Sequence, residues 1–259
     1  MTTLFVLGSG SRGNCVAISH GGATLLVDAG FSAKEIERRA AAVGLGLQSV
    51  VGIAVTHEHK DHSAGAARLA RRLGAPVVTS PGTWDRLRHR AGGAQHRLVS
   101  LGGQVELGPF SIAACPTWHD ASEPVAFAVR ASDGTGIGVA YDLGKATAGL
   151  RYLLKDMNAL VLEANHDEVR LRLGPYPPSV QHRIAGSGGH LSNRAAAELL
   201  GQLSHPGLRL VVLAHLSESC NTAADARATV EPALSRVGFD GTLHVAEQAA
   251  PLPPLPIWG

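Results

Sequence analysis

Thr56-His57-Glu58-His59-Lys60-Asp61-His62 gathers four metal-binding side chains, His57, His59, Asp61 and His62, within six residues. The stretch follows Val50-Val51-Gly52-Ile53-Ala54-Val55, an apolar run that reads as a buried strand. It precedes Ser63 to Leu73, an Ala- and Arg-rich segment with helical spacing. The cluster therefore belongs on a loop between a strand and a helix. His57 and His59 are two residues apart, which suits a tight loop and not one face of a helix. Imidazoles this crowded beside a carboxylate point to a metal centre rather than to a polar surface loop. Glu58 is expected to face away from its neighbours and is not counted among the ligands.

A chain of 259 residues, 45% hydrophobic and 17% charged, has the composition of an ordinary globular protein with a sizeable core. The net charge of +2 provides no global basic field for nucleic acid. Arginines do cluster locally, at Arg68, Arg71 and Arg72, at Arg86, Arg88 and Arg90, and at Arg170 and Arg172, where solvated faces are the default expectation. The three cysteines, Cys15, Cys115 and Cys220, form no Cys-x-x-Cys pair, so no disulfide framework is expected. The N-terminus lacks a basic lead and a long apolar core, and no run approaches the roughly 18 apolar residues of a membrane span. A soluble cytoplasmic protein is expected.

Leu4 to Leu7 reads as the first strand, followed by the turn-rich loop Gly8-Ser9-Gly10-Ser11-Arg12-Gly13-Asn14. Cys15 to Ser19 and Thr24 to Asp28 form a hairpin across Gly21-Gly22. Ser32 and Glu35 have the spacing of a capping box that opens a helix through about Val43. Later strands each end on a polar side chain. His119 follows the hairpin Gln104–Glu106 and Phe110–Ala114, Asp142 follows Gly136–Tyr141, Glu163 ends Ala159–Glu163, and His215 follows Leu208–Ala214. Arg170 to Gly188, with Pro175, Pro177 and Pro178, reads as an irregular, mobile segment facing the substrate. The proline-rich tail from Pro251 reads as an extended surface wrap. One domain over 1–259, with an irregular insertion near 165–190, is the expected organisation.

The motif His57-x-His59-x-Asp61-His62 after a strand resembles the signature of the metallo-β-lactamase superfamily. The resemblance implies an αββα sandwich, two mixed sheets flanked by helices. It also implies a ligand set: His57, His59 and His119 on one metal, Asp61, His62 and His215 on a second, and Asp142 bridging both. Asp28, at the end of its strand, is implied as a brace for the metal loop. Nitrogen and oxygen donors without thiolate suit two divalent ions, zinc or manganese, with iron possible. A pair of such ions activates water near neutral pH, so the site is expected to be hydrolytic.

Gly8-Ser9-Gly10-Ser11-Arg12-Gly13-Asn14-Cys15, His119-Asp120-Ala121, Glu163-Ala164-Asn165-His166-Asp167, Gly189-His190-Leu191-Ser192-Asn193 and His215-Leu216-Ser217 are similar to the YycJ/WalJ-type branch of that superfamily. Cys220 departs from it, standing before Asn221 where the branch has a second Asn. The resemblance implies an exonuclease acting on DNA. Glu163 and His190 also match an acid relay of the more distant ribonuclease Z group. With Asp61 they form the expected catalytic set. Ser11, Asn14, Arg183, Ser217 and Asn221 are the expected contacts to backbone phosphates. The alternative function is a small-molecule hydrolase of the same fold, a thioesterase or lactonase, acting without nucleic acid.

Overall fold

The computed structural model describes residues 1–258. Thr2–Gly8 (β1), Cys15–His20 (β2), Ala23–Val27 (β3), Val50–Ala54 (β4), Val77–Thr79 (β5) and His96–Leu98 (β6) build the first sheet. Gln104–Leu107 (β7), Phe110–Pro116 (β8), Val125–Ala131 (β9), Gly136–Ala140 (β10), Ala159–Glu163 (β11), Leu210–Ala214 (β12) and Thr242–Val245 (β13) build the second. Leu255–Ile257 (β14) returns to the first sheet and pairs antiparallel with β1. Each sheet is seven-stranded and mixed, in the orders β14-β1-β2-β3-β4-β5-β6 and β13-β12-β11-β10-β9-β8-β7. The helices are Ala33–Ala42 (α1), Lys60–Ser63 (α2), Ala66–Leu73 (α3), Pro81–Ala91 (α4), Ala148–Leu154 (α5), Glu168–Leu173 (α6), Pro178–Ala185 (α7), Asn193–Leu203 (α8) and Ala223–Arg236 (α9).

The period of two along each strand divides the apolar residues between cores. In β1, Leu4 and Val6 enter the layer between the sheets, where they join Phe110, Phe127 and Val212. Phe5 and Leu7 of the same strand face outward and pack with Ile36 of α1 and Leu69 of α3. The second sheet does likewise: Val139 and Val161 point inward, while Leu160 and Leu162 pack beneath Leu154, Leu200 and Val230 of α5, α8 and α9. Both faces of both sheets are thus covered, which is the expected four-layer αββα sandwich.

Four local expectations change. The helix expected over Ser63–Leu73 begins only at Ala66 as α3, and a separate turn of helix, α2, takes Lys60–Ser63, with Asp61 and His62, out of the expected loop. Between the two sits Gly65, where a Cβ would lie 2.2 Å from the Phe31 carbonyl oxygen. Only half the capping box forms: the Ser32 hydroxyl accepts from the Glu35 amide, but the Glu35 carboxylate turns to Arg38 and Arg39. The segment expected to be irregular carries α6 and α7. Asp167 caps the first by accepting from the Val169 and Arg170 amides, and Pro178 opens the second, where its missing N–H costs nothing. The tail expected as an extended surface wrap is extended, but it joins the first sheet as the strand β14.

Candidate metal centre and catalytic cleft

The second sheet delivers its polar residues side by side. β10, β11 and β12 run parallel in register, so their C-terminal ends carry Asp142, Glu163 and His215 to one edge. Asp142 (φ 51°) and His215 (φ 56°) lie in the left-handed region just past their strands, as does Asp28 (φ 60°) past β3. Among the described residues the only other non-glycine residue with positive φ is Asp156. This costly backbone conformation is concentrated where side chains turn into the site.

The seven residues expected as ligands converge. His57, His59 and His119 form one group, Asp61, His62 and His215 a second, and Asp142 joins both regions through His57 and His62 on one side and His215 on the other. Donor atoms lie at short separations: His119 Nε2 is 3.3 Å from His59 Nδ1, His57 Nε2 3.4 Å from Asp142 Oδ2, and His62 Nε2 2.9 Å from the same oxygen. Asp61 Oδ2 is 3.4 Å from His62 Nε2 and 3.5 Å from His215 Nε2. Atoms held about 2.0–2.2 Å from one tetrahedral ion are spaced about 3.3–3.6 Å apart, so all of these separations but the 2.9 Å one match the edges of a coordination shell.

The outer nitrogens support the same reading. His57 Nδ1 meets the Thr56 hydroxyl at 3.1 Å, His62 Nδ1 meets Asp28 Oδ2 at 2.7 Å, His119 Nδ1 meets the Gly189 carbonyl at 3.2 Å, and His215 Nδ1 meets Glu163 Oε1 at 3.2 Å. Each of these four rings is oriented through Nδ1, which leaves Nε2 turned inward for an ion, whereas His59 turns Nδ1 inward. His57 Nε2 and Asp142 Oδ2 are buried without a hydrogen-bond partner. Buried polar atoms seldom go unsatisfied, and a divalent cation would satisfy both. The donor set therefore fits divalent metal, and no cysteine takes part in it.

Burial pushes His57 far below its usual range, which keeps it a neutral donor. Burial also opposes charge on His62, but the carboxylates of Asp28 and Asp142 overcome it and raise that group. Asp28 accepts from the Thr56 amide at 2.8 Å as well, so one buried carboxylate braces both ends of the metal loop. Gly30 allows this loop to close, since a Cβ there would stand 1.6 Å from the Asp61 carbonyl oxygen.

Glu163 is fully buried, and its Oε2 accepts from the amides of Leu143 and Leu191 at 2.7 and 3.0 Å. Its Oε1 lies 2.7 Å from His190 Nδ1. Burial disfavours the charged carboxylate, yet His190 beside it holds the Glu163 carboxyl down at about 2. His190 Nδ1 also lies 3.0 Å from Asp142 Oδ1.

A cavity of about 270 Å³ opens above these groups, lined by His190, Asn165, Tyr176, Arg183, Ser11 and Ser217 among others. Of the expected phosphate contacts, Ser11, Arg183 and Ser217 face it, and two do not. Asn14 is 0% exposed and bonds Ser9, the Gly10 amide and carbonyl, and His62 Nε2 at 3.2 Å. Asn221 is buried against Asn193 and the Ala164 carbonyl. Both amides are spent on holding loops together and have no donor to spare for substrate. Two further residues have no role assigned from the sequence: Asp120, which meets Arg183 at 3.4 Å, and Asn165, which lines the cleft and donates to the His215 carbonyl at 2.8 Å. Position beside His119 was the only signal for Asp120.

Residues 8–134 match the family described as the metallo-beta-lactamase superfamily. Over 237 residues, 90% of this chain and 89% of the relative, the chain is 35% identical to exodeoxyribonuclease YycJ of Bacillus anthracis. It is 29% identical to exodeoxyribonuclease WalJ of Streptococcus pneumoniae over 91% of this chain and 90% of the relative. Among solved structures, the metallo-beta-lactamase fold protein YhfI from Bacillus subtilis superposes with a TM-score of 0.72, at 15% identity, over 97% of this chain and 98% of its own.

Proposed function

The chain belongs to the metallo-beta-lactamase superfamily, in its YycJ/WalJ branch, and on that premise we propose that it is a metal-dependent exonuclease acting on DNA. The observation that carries this reading is the end-to-end similarity to a relative named exodeoxyribonuclease, 35% identical over 90% of the chain. The cleft supports it, since it puts a guanidinium and two hydroxyls beside the metal-binding groups.

His57, His59 and His119 would hold one ion, Asp61, His62 and His215 the other, with Asp142 between them. Zinc or manganese suits these nitrogen and oxygen donors best. Bound there, two divalent ions supply activated water and stabilise charge on phosphoryl oxygens. The chain's own residues do the rest. Arg183 pairs with a backbone phosphate once it leaves Asp120, and Ser11 and Ser217 donate to the same backbone. His190 keeps Nδ1 on Glu163 and turns Nε2 to the departing 3′- or 5′-oxygen, to which it gives a proton. Glu163 favours the imidazolium by its charge, and the amides of Leu143 and Leu191 hold that carboxylate in place.

No helix among the described residues is long and apolar enough to cross a membrane. The reading implies a cytoplasmic protein, where three free thiols stay reduced.

The test is a panel of end-labelled DNA and RNA of one sequence, with chromogenic phosphodiester, thioester and lactone substrates alongside. Stepwise loss of nucleotides from one DNA end is the expected result. Turnover of a thioester or lactone at enzymatic rates, with DNA and RNA left intact, would overturn the reading in favour of a small-molecule hydrolase.

A further inference from the structure

Behind the metal loop, between α3 and α4, lies a second cavity of about 210 Å³. Ser63 forms part of its wall, and the Ser63 hydroxyl donates to the carbonyls of Glu58 and His59, both at 2.9 Å. The cavity thus begins one turn of chain from the metal ligands. Its rim carries Arg68, Arg71 and Arg90, all exposed, and its lining contains no acidic residue.

Charge pairing sets these arginines apart from their neighbours. Arg72 on the same helix pairs with Glu37 at 3.0 Å, and Arg88 on α4 faces Asp85 at 3.7 Å. No carboxylate within ion-pair reach of Arg68, Arg71 or Arg90 is found among the described residues. Arg71 is anchored by donating to the Ala91 carbonyl. Three guanidinium groups around one hollow, in a protein of net charge only +2, are a local excess of positive charge without an internal partner.

The floor is apolar and aromatic. Leu87 is buried there, and Trp84 borders the cavity with its ring stacked on His96, centroids 4.0 Å apart and planes 13° apart. That stacking gives the indole a neighbour on one face. Unpaired arginines beside an aromatic side chain suit a single strand, whose bases are free to leave the backbone and lie on such a surface. A duplex keeps its bases stacked inside and would use the arginines alone.

We propose that this cavity is a second binding site for single-stranded DNA, which grips nucleotides of the substrate strand away from the scissile bond. The proposal rests on the nuclease reading above. Arg68, Arg71 and Arg90 contact phosphates, and Trp84 and Leu87 receive a base.

The test uses the metal-loaded full chain and the variant R68Q/R90Q, whose altered side chains are exposed and form no ion pair. The substrates are single-stranded DNA of about 20 nucleotides, longer than a single-strand site of about 4–16, a dinucleotide, and bis(4-nitrophenyl) phosphate. On the long strand the variant is expected to raise KM about tenfold with kcat unchanged. The slope of log(kcat/KM) against log salt should fall by about 1.4, about 0.7 per lost phosphate contact. The two short substrates should be unaffected. W84A should raise KM on the long strand as well, with W84F partly restoring it. An unchanged KM and salt slope on the long strand overturns the second site, as does an equal loss on the dinucleotide. A larger effect on duplex than on single strand overturns the single-strand assignment. Wild-type protein that cuts no DNA overturns the nuclease reading and this site together, whereas wild type that cuts with an unaffected variant overturns the site alone.

Discussion

The carboxylate of Glu163 meets the imidazole of His190 at 2.7 Å, Oε1 to Nδ1, although 27 residues separate them. Glu163 is held from its other oxygen by two backbone amides, so it cannot swing away from the imidazole. His190 lines the cleft against Asp142, and Glu163 is buried behind it.

His190→Ala is therefore expected to slow DNA cleavage by about 10²–10⁴-fold, the usual weight of a general acid. Metal content, read by elemental analysis, and DNA affinity should stay near wild type. A nitrophenyl phosphodiester, whose leaving group departs without a proton, should lose much less. Equal slowing of both substrates, or loss of metal, would make His190 structural.

Metal removal should be visible in stability. Without a cation, His57 Nε2 and Asp142 Oδ2 are buried polar atoms lacking partners. An ion bound only by the folded state adds stability in proportion to RT ln(1 + [L]/Kd). A chelator should lower Tm, and zinc or manganese should restore it with about two ions per chain. An identical Tm with and without chelator would contradict a loaded site. Asp142→Ala should abolish most of the metal-dependent rise.

Asp28 touches no proposed substrate position, yet Asp28→Asn should weaken metal binding. The carboxylate orients His62 at 2.7 Å and fixes the Thr56 amide at 2.8 Å. Removing such an outer partner commonly costs about 10–100-fold in metal affinity. Asn tolerates the left-handed backbone at this position, so the fold should survive. Competition with a chelating dye measures the change, and unaltered affinity would reduce Asp28 to a folding residue.

On α1, hydrogen bonds from Arg38 and Arg39 pull the Glu35 carboxyl down to about 2. A depressed carboxylate contributes stability above its unfolded value, about 4.3, and loses it as pH falls toward the folded value. Glu35→Gln should then destabilise the protein at pH 7, and the difference should shrink between about pH 4 and pH 2. The effect should be modest, since Arg38 is exposed and solvent screens the pair. Denaturant melts at both ends of that window check it. A penalty independent of pH would mean that the lost contact is not the charge.

The sequence by itself determined the fold class and the chemical character of the site. His57, His59, Asp61 and His62 are neighbours in the chain, so no folding is needed to bring them together. Alternation in strands such as Leu4-Phe5-Val6-Leu7 assigns faces because the pleat has a period of two. Strand ends at His119, Asp142, Glu163 and His215 follow from where the apolar runs stop. Tertiary structure alone decided which atoms of the polar residues face the cleft. Asn14 and Asn221 sit in the same loops as Ser11 and Ser217, yet the amides are tied to neighbouring backbone and side chains while the two serines line the cleft. The pairing of Arg183 with Asp120, the return of β14 to β1, and the coming together of Arg68, Arg71 and Arg90 around one cavity are equally long-range. Local spacing carries the period of an element, but the direction of a side chain in a loop depends on the surfaces that close over it. Those surfaces come from parts of the chain tens to hundreds of residues away.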